Sequence, residues 1–372
     1  MTTDGASEEH DASRPRRRPR YRGSHPRAFA ERYKELDASA HPGIVEHVRA
    51  QGRTPAGMHV PVLLDEVLTA LRPMPGEIVA DCTLGYGGHA QAFLERVAPD
   101  GRLIGFDVDA AQLERTADRL SQVAQVDGAT TAPPGAAPRV TLHRMHFAGL
   151  GKTLAADGLV GYDVILADLG VSSMQIDDPA RGFSYKYDGP LDMRMDSRLP
   201  RTAADLLQAR SEAELSGALQ ELADEPRHVA IARGIVAARA RRPLSRTREL
   251  VRVVFGAKRL SAREWREQAR AGGAGLHPAA RTFQALRMLV NDEIGGLEQL
   301  LRIAPWCLAP GGRLGIITFH SGEERRVRES FESGLRDEVY ASICPEPIRP
   351  TAGERRDNPR SASARLHWAR VE

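Results

Sequence analysis

The sequence predicts an α/β fold, a doubly wound parallel sheet with helices on both faces and a helical insert. Three observations carry this expectation. Apolar, strand-like runs at 77–81, 103–107, 140–143 and 163–168 alternate with helix-compatible stretches, the pattern of a parallel sheet covered on both sides. Between 202 and 258 strands stop and only helical patterns follow, before the α/β pattern returns with a strand at 313–319. The residues with chemical potential follow strands, where open α/β sheets bind ligands.

The 372 residues exceed one typical domain, so packed units plus a tail are expected. Residues 1–57 read as a basic, largely disordered extension, with short helices conceivable at 28–36 and 43–51. A folded region begins near 58, with a helix at 65–71, a strand at 77–81, a helix at 90–97, a strand at 103–107 and a helix at 110–123. Residues 124–138, rich in Ala, Pro, Gly and Thr, read as a loop insertion, since such composition breaks both regular periods. Strands at 140–143 and 163–168 complete a first core segment, 58–178. The insert, 179–280, carries candidate helices at 204–208, 212–222, 226–240 and 246–255 and ends in a glycine-bearing connector, 259–278. Residues 281–372 return to the core through helices at 282–291 and 297–307, a turn at 309–312 and the strand at 313–319.

The richest stretch is Asp81-Cys82-Thr83-Leu84-Gly85-Tyr86-Gly87-Gly88-His89. Strand, glycine turn and helix start in succession allow close backbone approach to a nucleotide-like ligand, although a glycine turn by itself can be only a tight turn. Asp107 ends the next strand, twenty residues past Gly87, where a carboxylate can accept from both ribose hydroxyls of an adenosine. The glycines do not follow G-x-G-x-x-G. Adenosine without a pyrophosphate therefore fits best, which favours S-adenosylmethionine over NAD. Asp168, after the fourth strand, stands where an acceptor could orient an exocyclic base amine and stabilise the positive charge that develops on nitrogen. A turn-capping aspartate would have the same context. His320 closes the later strand and reads either as a base or phosphate contact or as a loop support. Residues 181–196, with Arg181, Phe183, Tyr185, Asp192 and Arg194, permit a base-stacking surface and equally a lid on the cofactor.

The net charge of +3 is unevenly spread. From 14 to 34 there are nine basic residues against Glu31, an arm able to touch phosphates without reading sequence or simply to solubilise. From 227 to 259 ten basic residues accompany Glu249, and Val229, Ala232, Val236 and Ala240 mark an apolar helical stripe, leaving Arg233 and Arg239 on a solvated face, with or without a role toward phosphates. The three cysteines, Cys82, Cys307 and Cys344, form no C-x-x-C pair, which argues against a zinc knuckle or disulfide framework and for a reducing cytoplasm. No metal site is expected. No apolar run approaches the roughly 18 residues of a membrane span.

These residues resemble the bacterial small-subunit ribosomal RNA methyltransferase H family. The resemblance runs through 59–66, the 81–89 turn, 168–175, 181–184, 188–196, 281–285, 308–312, Phe319-His320-Ser321 and Asn358-Pro359-Arg360. It implies a class I S-adenosylmethionine-dependent methyltransferase, Rossmann-like, with an inserted helical domain for substrate recognition. It implies methylation of the N4 amine of a P-site cytidine in the 16S rRNA of the small ribosomal subunit or its late assembly intermediate. Carried over by motif position, cofactor contacts fall on Gly87, Gly88, His89, Asp107, Phe147, Asp168 and Gln175. Asp168 is also the catalytic candidate, and Asp192 and Arg194 by the composition of their stretch, with His320 by its strand-end place, are the substrate-binding candidates. Met174, Gly322 and Glu324 depart from the family pattern. A homodimer is left open. Two other classes fit the same sheet: a nicotinamide-dependent dehydrogenase, disfavoured by the glycine spacing, and a non-catalytic assembly factor that keeps the pocket for structure.

Overall fold

The computed structural model describes residues 61–126, 139–270 and 275–372. The basic arm, the two short helices expected within it and residues 127–138 lie outside them.

The first core segment runs α1 (Leu64–Leu71), β1 (Ile78–Asp81), α2 (Gly88–Val97), β2 (Arg102–Asp107), α3 (Ala110–Leu120), β3 (Gln125–Val126), β4 (Arg139–Arg144), α4 (Leu150–Ala156), β5 (Tyr162–Asp168) and α5 (Ser173–Asp177). The helical region follows as α6 (Ala203–Ala209), α7 (Glu212–Ala223), α8 (His228–Arg239), α9 (Thr247–Ala257), α10 (Ala262–Arg270) and α11 (Ala280–Asn291). The chain closes with α12 (Glu293–Cys307), β6 (Leu308–Thr318), α13 (Ser321–Arg336), β7 (Ser342–Ile343), α14 (Ala352–Asp357) and β8 (Arg365–Arg370).

The sheet has eight strands in the order β3-β4-β2-β1-β5-β6-β8-β7. β3 to β6 are parallel to their neighbours, and β8 and β7 join antiparallel. This is the class I arrangement. The chain builds outward from β1 in one direction, then returns to build through β5 in the other, so a topological switch point opens between the ends of β1 and β5. Side chains of the central strands alternate between two apolar layers, as the two-residue period requires. Val79, Leu103, Val164 and Leu166 join the layer under α1, α2 and α3. Ala80, Ile104, Ile165 and Ala167 join the layer under α4, α12 and α13.

A third apolar cluster lies in the helical region and holds Leu206, Leu219, Ile231, Ile235, Leu250 and Val254. It also takes Phe283, Leu286 and Val290 of α11, a helix the sequence reading puts with the returning core. The starts of α6 and α7 are fixed by capping boxes, Thr202 with Asp205 and Ser211 with Glu214, which satisfy amides that the first turn leaves free.

Several expectations need correction. The connector at 259–278 holds an exposed helix, α10, whose Trp265 lies edge-on to His277 at 4.6 Å. α8 packs through Ile231, Ala232 and Ile235, while Val229 is exposed, so the buried stripe is rotated from the expected one. Arg239, expected in solvent, donates to the carbonyls of Leu207 and Arg210 and ties α8 to the end of α6. The turn at 309–312 lies within β6 as a bulge, between the pairs Tyr162–Leu308 and Val164–Arg313, with Gly311 at φ +74°. β8 pairs antiparallel with β6 and β7 with β8, and α13 packs Val327 and Phe331 into the second apolar layer. No helix among the described residues is long and apolar enough to cross a membrane.

Candidate active site

At the switch point a cavity of about 630 Å³ opens over the ends of β1, β2 and β5, within the size range of cofactor sites. Its floor is the glycine turn. Gly87 precedes α2 at φ +66°, a left-handed conformation that a side chain would strain. The turn is pinned from two sides: Asp107 Oδ2 accepts from the Gly85 amide at 2.9 Å, and the Thr116 hydroxyl donates to the Gly85 carbonyl at 2.7 Å. Asp107 Oδ1 accepts from the Asp109 amide at 2.8 Å. Burial pushes the Asp107 carboxyl up to about 6 against these hydrogen bonds. The amides at the start of α2 form an anion-binding end.

Asp81 ends β1 and Asp168 ends β5, and the two strands are clamped there by the Cys82 amide on the Leu166 carbonyl at 2.8 Å and by the Asp168 amide on the Thr83 hydroxyl at 2.6 Å. The Asp168 side chain keeps a quarter of its surface open, yet its Oδ1 is enclosed without a hydrogen-bond partner. Burial, with negative charge from Asp81 and Glu323, pushes its carboxyl up to about 8. Burial likewise takes Asp81 to about 7. His89 donates from Nε2 to the Val62 carbonyl at 3.0 Å, and burial lowers its pKa to about 4, so it adds no positive charge. This end of the cavity is short of cations and suits a cationic ligand.

The opposite wall comes from the helical region. Arg181 Nη1 reaches Asp109 Oδ2 at 2.7 Å, and its Nη2 donates to the carbonyls of Arg194 and Met195 at 3.0 and 3.1 Å. Asp109 also accepts from Gln175 Nε2 at 3.1 Å. Burial works to raise the Asp109 carboxyl, but Arg181 and the amides outweigh it and hold it below the usual range. Asn291 Oδ1 accepts from the Met195 amide, and its Nδ2 donates to the Met193 carbonyl. The loop so held brings Met195, Asp196 and Leu199 to the cavity, which Met145, His146 and Phe147 also line. His146 and Phe147 lie ring to ring at 4.1 Å, tilted by 37°, and Phe147 gives the cavity an aromatic wall.

Gly88, His89, Asp107, Phe147, Asp168 and Gln175 all line this one cavity, and Gly87 shapes its turn. Gln175 is occupied at both ends, its Oε1 accepting from the Ser172 amide in a capping box. Asp192, Arg194 and His320 are not among the lining residues. Asp192 and Arg194 form a two-pronged pair at 2.7 and 2.9 Å that braces the loop, with Arg194 also on the Leu199 carbonyl. His320 caps α13, its Nδ1 accepting from the Glu323 amide. Sequence reasoning gave Asp81 no role of its own and passed over Glu323, Asp109 and the strut role of Arg181. The H-x-x-E spacing of His320 and Glu323 was the available signal for one of them.

Comparison with known proteins adds a sequence relation. Residues 56–372 match the model of a family described as the MraW methylase family. Ribosomal RNA small subunit methyltransferase H 2 of Alkaliphilus metalliredigens is 39% identical over 363 residues, covering 97% of this chain and 99% of that one. Ribosomal RNA small subunit methyltransferase H of Acidothermus cellulolyticus is 42% identical over 332 residues, covering 85% and 94%. A relative of the same kind from Lachnoclostridium phytofermentans is 38% identical over 359 residues, covering 95% and 92%.

Proposed function

The chain belongs to the MraW methylase family, and from that membership we propose that it methylates the exocyclic N4 amine of a P-site cytidine in small-subunit 16S rRNA. Its relatives are named as small-subunit rRNA methyltransferases, and S-adenosylmethionine is the methyl donor of this reading.

The residues present fit that cofactor. S-adenosylmethionine supplies an electrophilic methyl on a sulfonium. The amides of the 87–89 turn suit its carboxylate, Asp107 its ribose hydroxyls and Phe147 its adenine, while Asp168 on the cavity wall compensates its positive charge. The amine of cytosine has its lone pair delocalised into the ring and attacks poorly. A carboxylate that accepts the amine N–H turns the lone pair toward the methyl and stabilises the charge appearing on nitrogen. Asp168 takes that role and stands ready to receive the proton the nitrogen gives up.

The observation that supports this best is the place of Asp168 at the end of β5 on the cavity wall, with a quarter of its side chain open and no protein hydrogen bond to its enclosed Oδ1. The test is complementation of a deletion strain with wild type or Asp168→Ala, followed by nuclease digestion and mass spectrometry of the rRNA. Wild type restores one N4-methylated cytidine and the variant does not. Full methylation by the variant, or a wild-type methyl on another base or atom, overturns the assignment.

A further inference from the structure

The cavity is lined by Asp107, Asp168, Asp196, Asp292, Glu293 and Glu323, against which Arg360 is the one arginine or lysine among the described lining residues. Arg360 sits in a 3₁₀ turn, Pro359–Ser363, on a C-terminal segment that reaches back to the cofactor side of the sheet. That segment is tied down by Glu354, whose Oε1 accepts from the Leu63 amide at 2.8 Å. The guanidinium meets Asp177, at the end of α5, with Nη2 to Oδ2 at 3.5 Å, while half of its side chain stays exposed. Asp177 itself is almost wholly buried.

We propose that Arg360 binds a phosphodiester of the RNA nucleotide whose base enters the cavity, which rests on the RNA-methylating reading above. An RNA strand brought to an acid-lined opening is repelled unless a cation meets its phosphates at the rim. Arg360 is half in the cavity and half in solvent, the place of a rim contact and not of a base edge inside. Its contact with Asp177 is long and single-pronged, so it aims the guanidinium without consuming its donors, and a phosphate can take two of them in a fork. The cofactor's carboxylate has its own anion site at the start of α2 and does not need this arginine.

The experiment uses unmethylated small subunits from a deletion strain, with wild type, Arg360→Ala and Arg360→Lys, over a series of KCl concentrations. S-adenosylmethionine Kd is measured by calorimetry alongside. Arg360→Ala is expected to raise the KM for subunits about tenfold or more, to leave the cofactor Kd within about twofold, and to reduce the slope of log kcat/KM against log salt by about 0.7 to 0.9, the release of one counterion. Arg360→Lys is expected to restore the slope but only part of the KM, because a point charge replaces a fork. A rise in cofactor Kd matching the rise in KM would assign Arg360 to the cofactor, and an unchanged slope would make it structural; either result overturns the proposal. A wild-type methyl found on another nucleotide would sink the cytidine reading while leaving the salt comparison interpretable.

Discussion

His89 Nδ1 stands 3.9 Å from Asp168 Oδ2, beyond hydrogen-bonding reach, while its Nε2 gives its proton to the Val62 carbonyl. The ring is therefore a neutral neighbour of the acid and leaves it without a protein cation. Charge on Asp168 is opposed by burial and by Asp81 and Glu323. The site withholds what a carboxylate ordinarily requires and leaves it to be supplied by a positively charged ligand.

Asp168→Asn is the direct measure of that withholding. The folded-state pKa of Asp168, about 8, lies above the ordinary 3.8, so as pH rises the unfolded chain loses this proton first and stability falls between about pH 4 and pH 8. The amide is neutral throughout. The ligand-free variant should melt with wild type at pH 4 and be more stable by about 2 kcal/mol at pH 8, the full shift being reduced by the water that reaches the side chain. Its kcat should drop about 10²- to 10³-fold. Thermal melts at the two pH values and single-turnover methylation check both halves; equal melting at pH 8 would remove the electrostatic argument.

Ligand binding should move the same proton. In the proposed pose a sulfonium faces Asp168 on the cavity wall and favours its charged form, so S-adenosylmethionine binding at pH 7 should release protons and tighten as pH rises from about 6 to 8. The product, S-adenosylhomocysteine, has an uncharged sulfur and should show a flatter profile. Calorimetry in two buffers of different ionisation enthalpy measures the proton count, and identical counts for the two ligands would refute the coupling.

The parts of this protein that were legible in the sequence are those whose signals are local. Alternating strands and helices placed the parallel sheet, and the turn from Asp81 to His89 marked the cavity floor because a glycine-rich strand-to-helix turn is written in consecutive residues. The 203–257 helices announced themselves through their helical patterning. The strands at 342–343 and 365–370 were not legible, because each depends on a distant pairing, 365–370 on β6 and 342–343 on 365–370. Nor were the contacts of Arg181, whose partner Asp109 lies 72 residues away. The pairing of Arg194 with Asp192, two residues earlier, was not read from composition either.

Arg181→Ala should show that the insert loop and the cofactor wall are one unit. The substitution strands a buried carboxylate, Asp109, and frees two carbonyls of the loop at 194–195. Because Arg181 is partly exposed, the expected loss is about 2–3 kcal/mol, below that of a fully buried pair. S-adenosylmethionine affinity should fall as well, since Met195 and Asp196 line its cavity. Denaturant melts and calorimetry read these out, and a variant with wild-type cofactor affinity would separate the loop from the site.

Gly87→Ala tests whether the turn needs glycine for its backbone or for its neighbours. A Cβ there would stand 2.7 Å from Thr116 Cγ2 on a backbone at φ +66°. Thr116 is fully buried and its hydroxyl holds the Gly85 carbonyl, so it cannot retreat without loosening the turn. Gly158 has the same φ, +66°, and a Cβ added there would meet nothing within 4 Å, so Gly158→Ala isolates the backbone part, about 1–2 kcal/mol. Gly87→Ala adds overpacking and should be destabilised by about 2–4 kcal/mol in total, with S-adenosylmethionine binding weakened in step. Paired denaturation curves decide it: equal losses for the two variants would mean that φ alone sets the requirement and that Thr116 is free to yield.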